Sequence, residues 1–253
     1  MNDNPVILSA SGLVKSYGTT RALDDVSLEV RAGEAVAIMG ASGSGKTTLL
    51  HTLAGILTAD TGSVLLNAAI GRIRIDELSD KERSRLRREE FGFVFQQGLL
   101  IPELTAVENV ALPLLLTGHP RAAAEAHAGS WLAALGLAGM EQRRIGQLSG
   151  GQAQRVAIAR AQATGARIVF ADEPTGALDS ATSADVMSAL LDSTLSRGHA
   201  LVVVTHDPNV AARCTRVIRM QDGRIAPAAA PARAAVPAPV SASQIASTGE
   251  AAR

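Results

Sequence analysis

The nine residues GASGSGKTT at 40–48 carry groups suited to gripping a polyphosphate. Gly40, Gly45, Lys46 and Thr47 meet the spacing G-x-x-x-x-G-K-[ST]. Gly40, Gly43 and Gly45, with Ser42 among them, let backbone N–H groups converge on phosphate oxygens. Lys46 can set its ammonium on the β- and γ-phosphates, Thr47 offers a hydroxyl to Mg²⁺, and Thr48 reaches a further phosphate oxygen. A nucleoside triphosphate such as ATP also needs a magnesium carboxylate and a positioned water. IVFADEP at 168–174 supplies both: Asp172 suits the metal through water, and Glu173 beside it suits polarisation of the attacking water. Gln96 and His206 close the apolar runs FGFVFQ and LVVVTH. Each is either an ordinary hydrogen-bonded polar residue or, on the same sheet edge as Lys46 and Asp172, part of the site. In the second case Gln96 would meet Mg²⁺ and the water, and His206 the γ-phosphate.

A second turn has the same character. In QLSGGQAQRVAIARAQ at 147–162, Ser149, Gly150 and Gly151 supply a small hydroxyl and two bare backbones, and Gln152 to Ala163 read as a helix. Free N–H groups at a helix N-terminus favour an anion. One chain thus has two turns of phosphate-binding type.

Those residues need a frame to hold them. AVAIM at 35–39 is a wholly apolar strand that feeds the glycine-rich turn, and KTTLLHTLAGIL continues it as a helix. VSLEV at 26–30 alternates with period two, AGE makes a turn, and GSVLL at 62–66 is another strand. DELSDKERSRLRREE at 76–90 reads as a solvated helix. A helical pattern dominates from 103 to about 164, with one helix over 121–137. RIVFAD at 167–172 and ALVVVTHD at 200–207 are buried strands with polar ends, separated by an amphipathic helix that Gly198 closes. Strands alternating with helices imply a largely parallel sheet with its chemistry at the strands' C-terminal edge.

Composition narrows the class. The 253 residues carry a formal net charge of zero, so no nucleic acid is expected as a partner. Cys214 is the single cysteine, which rules out an intrachain disulfide and suits a reducing compartment. MNDNPVILSA lacks the pattern of a signal peptide, and runs such as VALPLLLTG at 110–118 are too short to span a bilayer. The chain is expected to be soluble or held at a membrane by something else. Residues 227–253 collapse to Ala, Pro and Ser, a composition expected to stay disordered.

In their order, GASGSGKTT, FVFQ, LSGGQ, VFADEP, GALD and TH resemble the ATP-binding subunits of ABC transporters, across roughly residues 8–226. The resemblance implies an α/β P-loop NTPase (RecA-like) core with a mostly parallel sheet, an antiparallel β subdomain and an α-helical signature subdomain. It places the ATP-binding domain at 6–226 and the helical subdomain at about 97–164. It also implies a homodimer formed on ATP binding, in which each ATP lies between one subunit's phosphate loop and the other's LSGGQ. Ser149, Gly150, Gly151 and Gln152 would then bind in trans. Asp179, in ALD at 177–179, would belong to the loop linking the two sites, and Tyr17 would stack on adenine.

GFVFQ followed by LLIPELTAVENVALPLLLTG, together with ADEPTGALDS, is similar to the ATPases of lipoprotein-releasing and macrolide-efflux systems. That likeness implies a partner permease with a large extracytoplasmic domain, touched through Gln97–Leu104. It implies a cytoplasmic location, peripheral on the inner face of the cell membrane. Ala153, the missing proline before IVFADEP, and LLNAAIGRIRI at 65–75 depart from the family pattern, the last leaving the edge of the antiparallel subdomain open. A soluble ABC ATPase acting on DNA or ribosomes stands as an alternative, although such proteins usually carry two cassettes or long insertions. A permease-linked regulator of cell-wall hydrolases would use the same ATP site.

Overall fold

The computed structural model describes residues 4–68 and 71–227. In chain order its elements are strands β1 (Val6–Tyr17), β2 (Thr20–Arg31) and β3 (Ala35–Met39), helix α1 (Lys46–Leu53), strands β4 (Thr61–Ala68) and β5 (Gly71–Arg74), and helix α2 (Asp80–Glu89). Strand β6 (Phe91–Phe95), helices α3 (Ala106–Leu116), α4 (Arg121–Ala134) and α5 (Gly150–Ala163), strand β7 (Ile168–Asp172) and helix α6 (Ser180–Leu195) follow. Strand β8 (Ala200–Thr205), helix α7 (Pro208–Ala212) and strands β9 (Arg216–Gln221) and β10 (Arg224–Ile225) complete the described chain.

Two sheets form. The four-stranded one runs β2-β1-β4-β5 and is antiparallel throughout. The six-stranded one runs β10-β9-β3-β8-β7-β6 and is parallel except for its β9–β10 edge. Alternation along its strands builds two cores. Leu201 and Val203 of β8, with Val94, Val169 and Ala171, face helices α3 to α6. Ala200, Val202 and Val204, with Val36, Ile38 and Phe170, face α1 and the antiparallel sheet. β8 is therefore buried at every position and apolar up to its last residue, Thr205. This is the α/β architecture with its parallel core.

Helix starts follow local chemistry. Ser79 with Glu82, Thr105 with Glu108, and Ser149 with Gln152 each close a reciprocal capping box at the head of α2, α3 and α5. Several boundaries move from the sequence expectation for the same reason. The charged helix begins at Asp80 rather than 76, because Ser79 caps it and Ile75–Glu77 forms a separate short 3-10 turn. α5 begins at Gly150, not Gln152, since Ser149 is its cap. α4 stops at Ala134 instead of 137, and Gly136 follows at φ +74°. The β4–β5 hairpin forms despite the unusual LLNAAIGRIRI, with Ala68 paired to Gly71. The tail expected at 227–253 lies outside the described residues except for Pro227.

Candidate functional site

β3 sits between β8 and β9, so its C-terminal end at Met39 opens in the middle of the sheet edge. The chain then turns through Gly40–Gly45 into α1. Two glycines are required by close approach. A Cβ on Gly40 would lie 2.4 Å from the Met220 carbonyl oxygen, and one on Gly45, at φ +96°, 2.2 Å from that of Ala22. α1 thus begins at Lys46, and its first N–H groups have no partner within the helix. Lys46 is only 9% exposed, and its Nζ donates to the Ala41 carbonyl at 2.8 Å. The ammonium is held inside the curl of the loop.

A cavity of about 660 Å³ opens over this loop, a size that suits a nucleotide. Tyr17, Gly40, Ser42, Gly43, Gly45, Lys46, Thr47, Thr48, Glu173 and His206 line it, with Ala22 and Val204. Tyr17 is half exposed at the end of β1. Its neighbours are pinned from behind by Asp60, which accepts from Ser16 N at 2.7 Å and from Lys15 Nζ at 2.8 Å. Nothing in the sequence singles out Asp60 or Ala22, because both act through contacts between distant segments.

Asp172 ends β7, and its Oδ1 accepts from the Thr47 hydroxyl at 3.5 Å. Burial pushes the Asp172 carboxyl above its ordinary range, against the Thr47 hydrogen bond and the charge of His51. A hard cation would relieve that desolvation, and two oxygen donors side by side fit Mg²⁺. Glu173 follows at φ +47°, a left-handed backbone uncommon for a residue with a side chain. Its N–H donates to the Val204 carbonyl at 2.9 Å. Its Oε1 lies 2.8 Å from His206 Nδ1. A carboxylate only accepts, so in this pairing Nδ1 donates; a phosphate oxygen also only accepts, so His206 would meet one through Nε2 only with a proton on that nitrogen as well.

The other candidates lie elsewhere. Gln96 follows Phe95, which pairs with Asp172, so it reaches the same sheet edge. Its side chain, however, lies against Gly176, where a Cβ would be 3.0 Å from Gln96 Nε2, and it does not line the cavity. Ser149 and Gln152 spend their side chains on each other's backbone: Gln152 N donates to Ser149 Oγ at 3.3 Å and Ser149 N to Gln152 Oε1 at 2.9 Å. Asp179 caps α6 by accepting from Ala181 N and Thr182 N at 3.1 and 3.0 Å. Hydrogen bonds from Thr182 hold its carboxyl below the ordinary range. The two helix heads pack together, since a Cβ on Gly151 would meet Thr182 Cγ2 at 2.4 Å. None of Ser149, Gly150, Gly151, Gln152 and Asp179 lines the phosphate-loop cavity. The two anion-suited turns of one chain therefore do not share a cavity.

A family model described as ABC transporter matches residues 23–176. The probable export ATP-binding/permease protein MacB of Pseudomonas entomophila is 47% identical over 204 residues, which cover 81% of this chain and 30% of that protein. The pyoverdine export ATP-binding/permease protein PvdT of Pseudomonas syringae pv. tomato is 47% identical over 224 residues, covering 87% and 33%. The chain thus spans about a third of the length of the curated relatives it matches. Among solved structures, the ATP-binding cassette MJ0796, a dimer in a post-hydrolysis state with ADP and Pi, superposes with a TM-score of 0.79 at 39% identity, covering 87% of this chain and 97% of that one. The structure of cbiO1 from Clostridium perfringens, part of the transporter complex cbiONQ, gives 0.78 at 27% identity, covering 88% and 87%.

Proposed function

The chain belongs to the ABC transporter ATP-binding family, and on that premise we propose that it is the ATP-hydrolysing subunit of an export or mechanotransmission complex. Its partner is a permease with a large extracytoplasmic domain, which holds it on the cytoplasmic face of the membrane. Among the described residues no helix is long and apolar enough to cross a membrane. The names of these relatives pair ATP binding with a permease and with export, which favours this reading over a soluble ATPase acting on DNA or ribosomes.

The phosphate-loop amides and Lys46 take the β- and γ-phosphates, Thr48 a further oxygen, and Tyr17 the adenine. Thr47 and Asp172 would hold Mg²⁺, which would supply charge neutralisation on the phosphates. Glu173 is the general base. His206 holds one of its oxygens and leaves the other for the water. Gln96, whose side chain lies against Gly176, would have to turn from it to reach the metal and water. Ser149 to Gln152 close over the nucleotide of a second subunit, with Asp179 between the two sites.

The observation that carries this reading is the separation of the two turns within one chain. Lys46→Ala and Ser149→Arg damage different halves of a composite site, so each homodimer has two defective sites. A linked heterodimer has one intact site. With Glu173→Gln in both halves to stop turnover, it is expected to retain one ATP, each linked homodimer none, and the linked Glu173→Gln parent two. Loss of all ATP from the heterodimer, with the parent still holding two, would place Ser149 outside the composite site.

A further inference from the structure

Tyr17, the single tyrosine of the chain, stands at the tip of a hairpin. It pairs with Thr20, so only Gly18 and Thr19 turn the chain from β1 into β2. The residue is half exposed, and loop tips are the least restrained part of a fold. On the other side of β1, the ladder to β4 already ends at Val14 and Thr61. Asp60, the residue before β4, takes over from there. Its N–H donates to the Val14 carbonyl at 2.8 Å. Its Oδ2 accepts from Ser16 N at 2.7 Å and its Oδ1 from Lys15 Nζ at 2.8 Å. One residue thus fixes Val14, Lys15 and Ser16, the run that leads to Tyr17.

The ammonium that Asp60 holds also lies over the tyrosine. Lys15 Nζ is 5.9 Å from the centroid of the Tyr17 ring, within the reach of a cation–π contact. Lys15 is the more enclosed member of the ion pair, its side chain 19% exposed against 43% for Asp60. The Lys15 bond, and then the Ser16 N–H, keep the Asp60 carboxyl below its ordinary range, so the carboxylate is charged near neutrality. An aromatic ring has two faces. With an ammonium over one, the other is left for a flat base that stacks. We propose that Lys15 and Asp60 are positioning residues for the nucleobase: Asp60 anchors Lys15, Lys15 orients the Tyr17 ring, and the ring offers a single face to adenine. The inference rests on the reading of Tyr17 as the adenine-stacking residue, and its test separates the two.

A single tyrosine makes the test direct. Full-length chains carrying isotope-labelled tyrosine give one set of ring signals in NMR, and ADP stacked on that ring shifts it. Calorimetry with ADP and with inorganic tripolyphosphate, at about 0.15 M salt, separates base binding from phosphate binding. Lys15→Met and Asp60→Ala are each expected to weaken ADP binding about fivefold, the scale of a misaligned aromatic stack, with tripolyphosphate affinity within about twofold of the parent's. The ring shift at saturating ADP is expected to shrink in both. The two substitutions change the charge in opposite directions, so a long-range charge effect would strengthen one complex and weaken the other. ADP affinities that move in opposite directions therefore overturn the proposal. ADP and tripolyphosphate affinities that fall together mark a merely structural role and overturn it as well. So does ADP affinity or a ring shift equal to the parent's in both variants. Lys15→Arg, which can still pair with Asp60 and lie over the ring, should regain most of the ADP affinity. If Asp60→Ala does not fold, Asp60→Asn, which keeps an acceptor for Ser16 N, takes its place under the same criteria. A parent that binds ADP with no shift of its tyrosine ring overturns the adenine reading of Tyr17 itself, and this inference with it.

Discussion

Glu173 joins two demands on one residue. Its carboxylate is placed for water, and its backbone is held at φ +47° by the bond to Val204. Substitutions can separate the two. Glu173→Gln keeps the shape and loses the base, so hydrolysis is expected to fall by about 10²–10⁴-fold in a steady-state phosphate-release assay while ATP still binds. Glu173→Ala and Glu173→Gly both lose turnover, but only glycine adopts the left-handed backbone without penalty. The glycine variant is therefore expected to be about 1 kcal/mol more stable than the alanine one, seen as a higher melting temperature. Equal melting temperatures would mean that the backbone at 173 stores no strain.

The elements explain why some of this site is legible in the sequence and some is not. SDKE at 79–82, TAVE at 105–108 and SGGQ at 149–152 each fit a capping box that closes within four residues, a local signal that the helix starts read at 76 and 152 passed over. The phosphate loop and the Asp172–Glu173 pair are legible because a strand end and its turn are contiguous. What is not legible is any contact between segments far apart. Asp60 pinning Ser16, Ala22 against Gly45, and Arg160 on Leu99 leave no periodicity to read. Gln96 shows the same limit, since its type and strand register place it at the edge but not the direction of its side chain. Gly92 is another hidden requirement. Gly92→Ala is expected to destabilise the chain by about 1–3 kcal/mol, because the new methyl would press on the Ala161 backbone rather than on a side chain that can turn away. Denaturant unfolding measures it, and an unchanged midpoint would show that α5 can lift off β6 at no cost.

At the scale of the whole molecule, the cysteine reports on global packing. Burial pushes the Cys214 thiol up to about 11, from an ordinary 9.0. The thiolate is the reactive form, so raising the pKa lowers reactivity at any pH below it. Alkylation of the folded chain at pH 8 is expected to be about a hundredfold slower than in denaturant, and to climb toward pH 11 rather than 9. Rates that match in the two states would mean that the packing around α7 opens freely. The central place of β3 has a consequence for how the protein is made. Both its edges are covered by strands that begin only at Ala200 and Arg216. A ribosome therefore exposes a strand of Ala, Val, Ile and Met, with the phosphate loop behind it, long before the partners of that strand are translated. Pairings so distant in sequence close slowly. The nascent chain is thus a client for chaperones until β9 emerges, and ATP cannot help it fold before then.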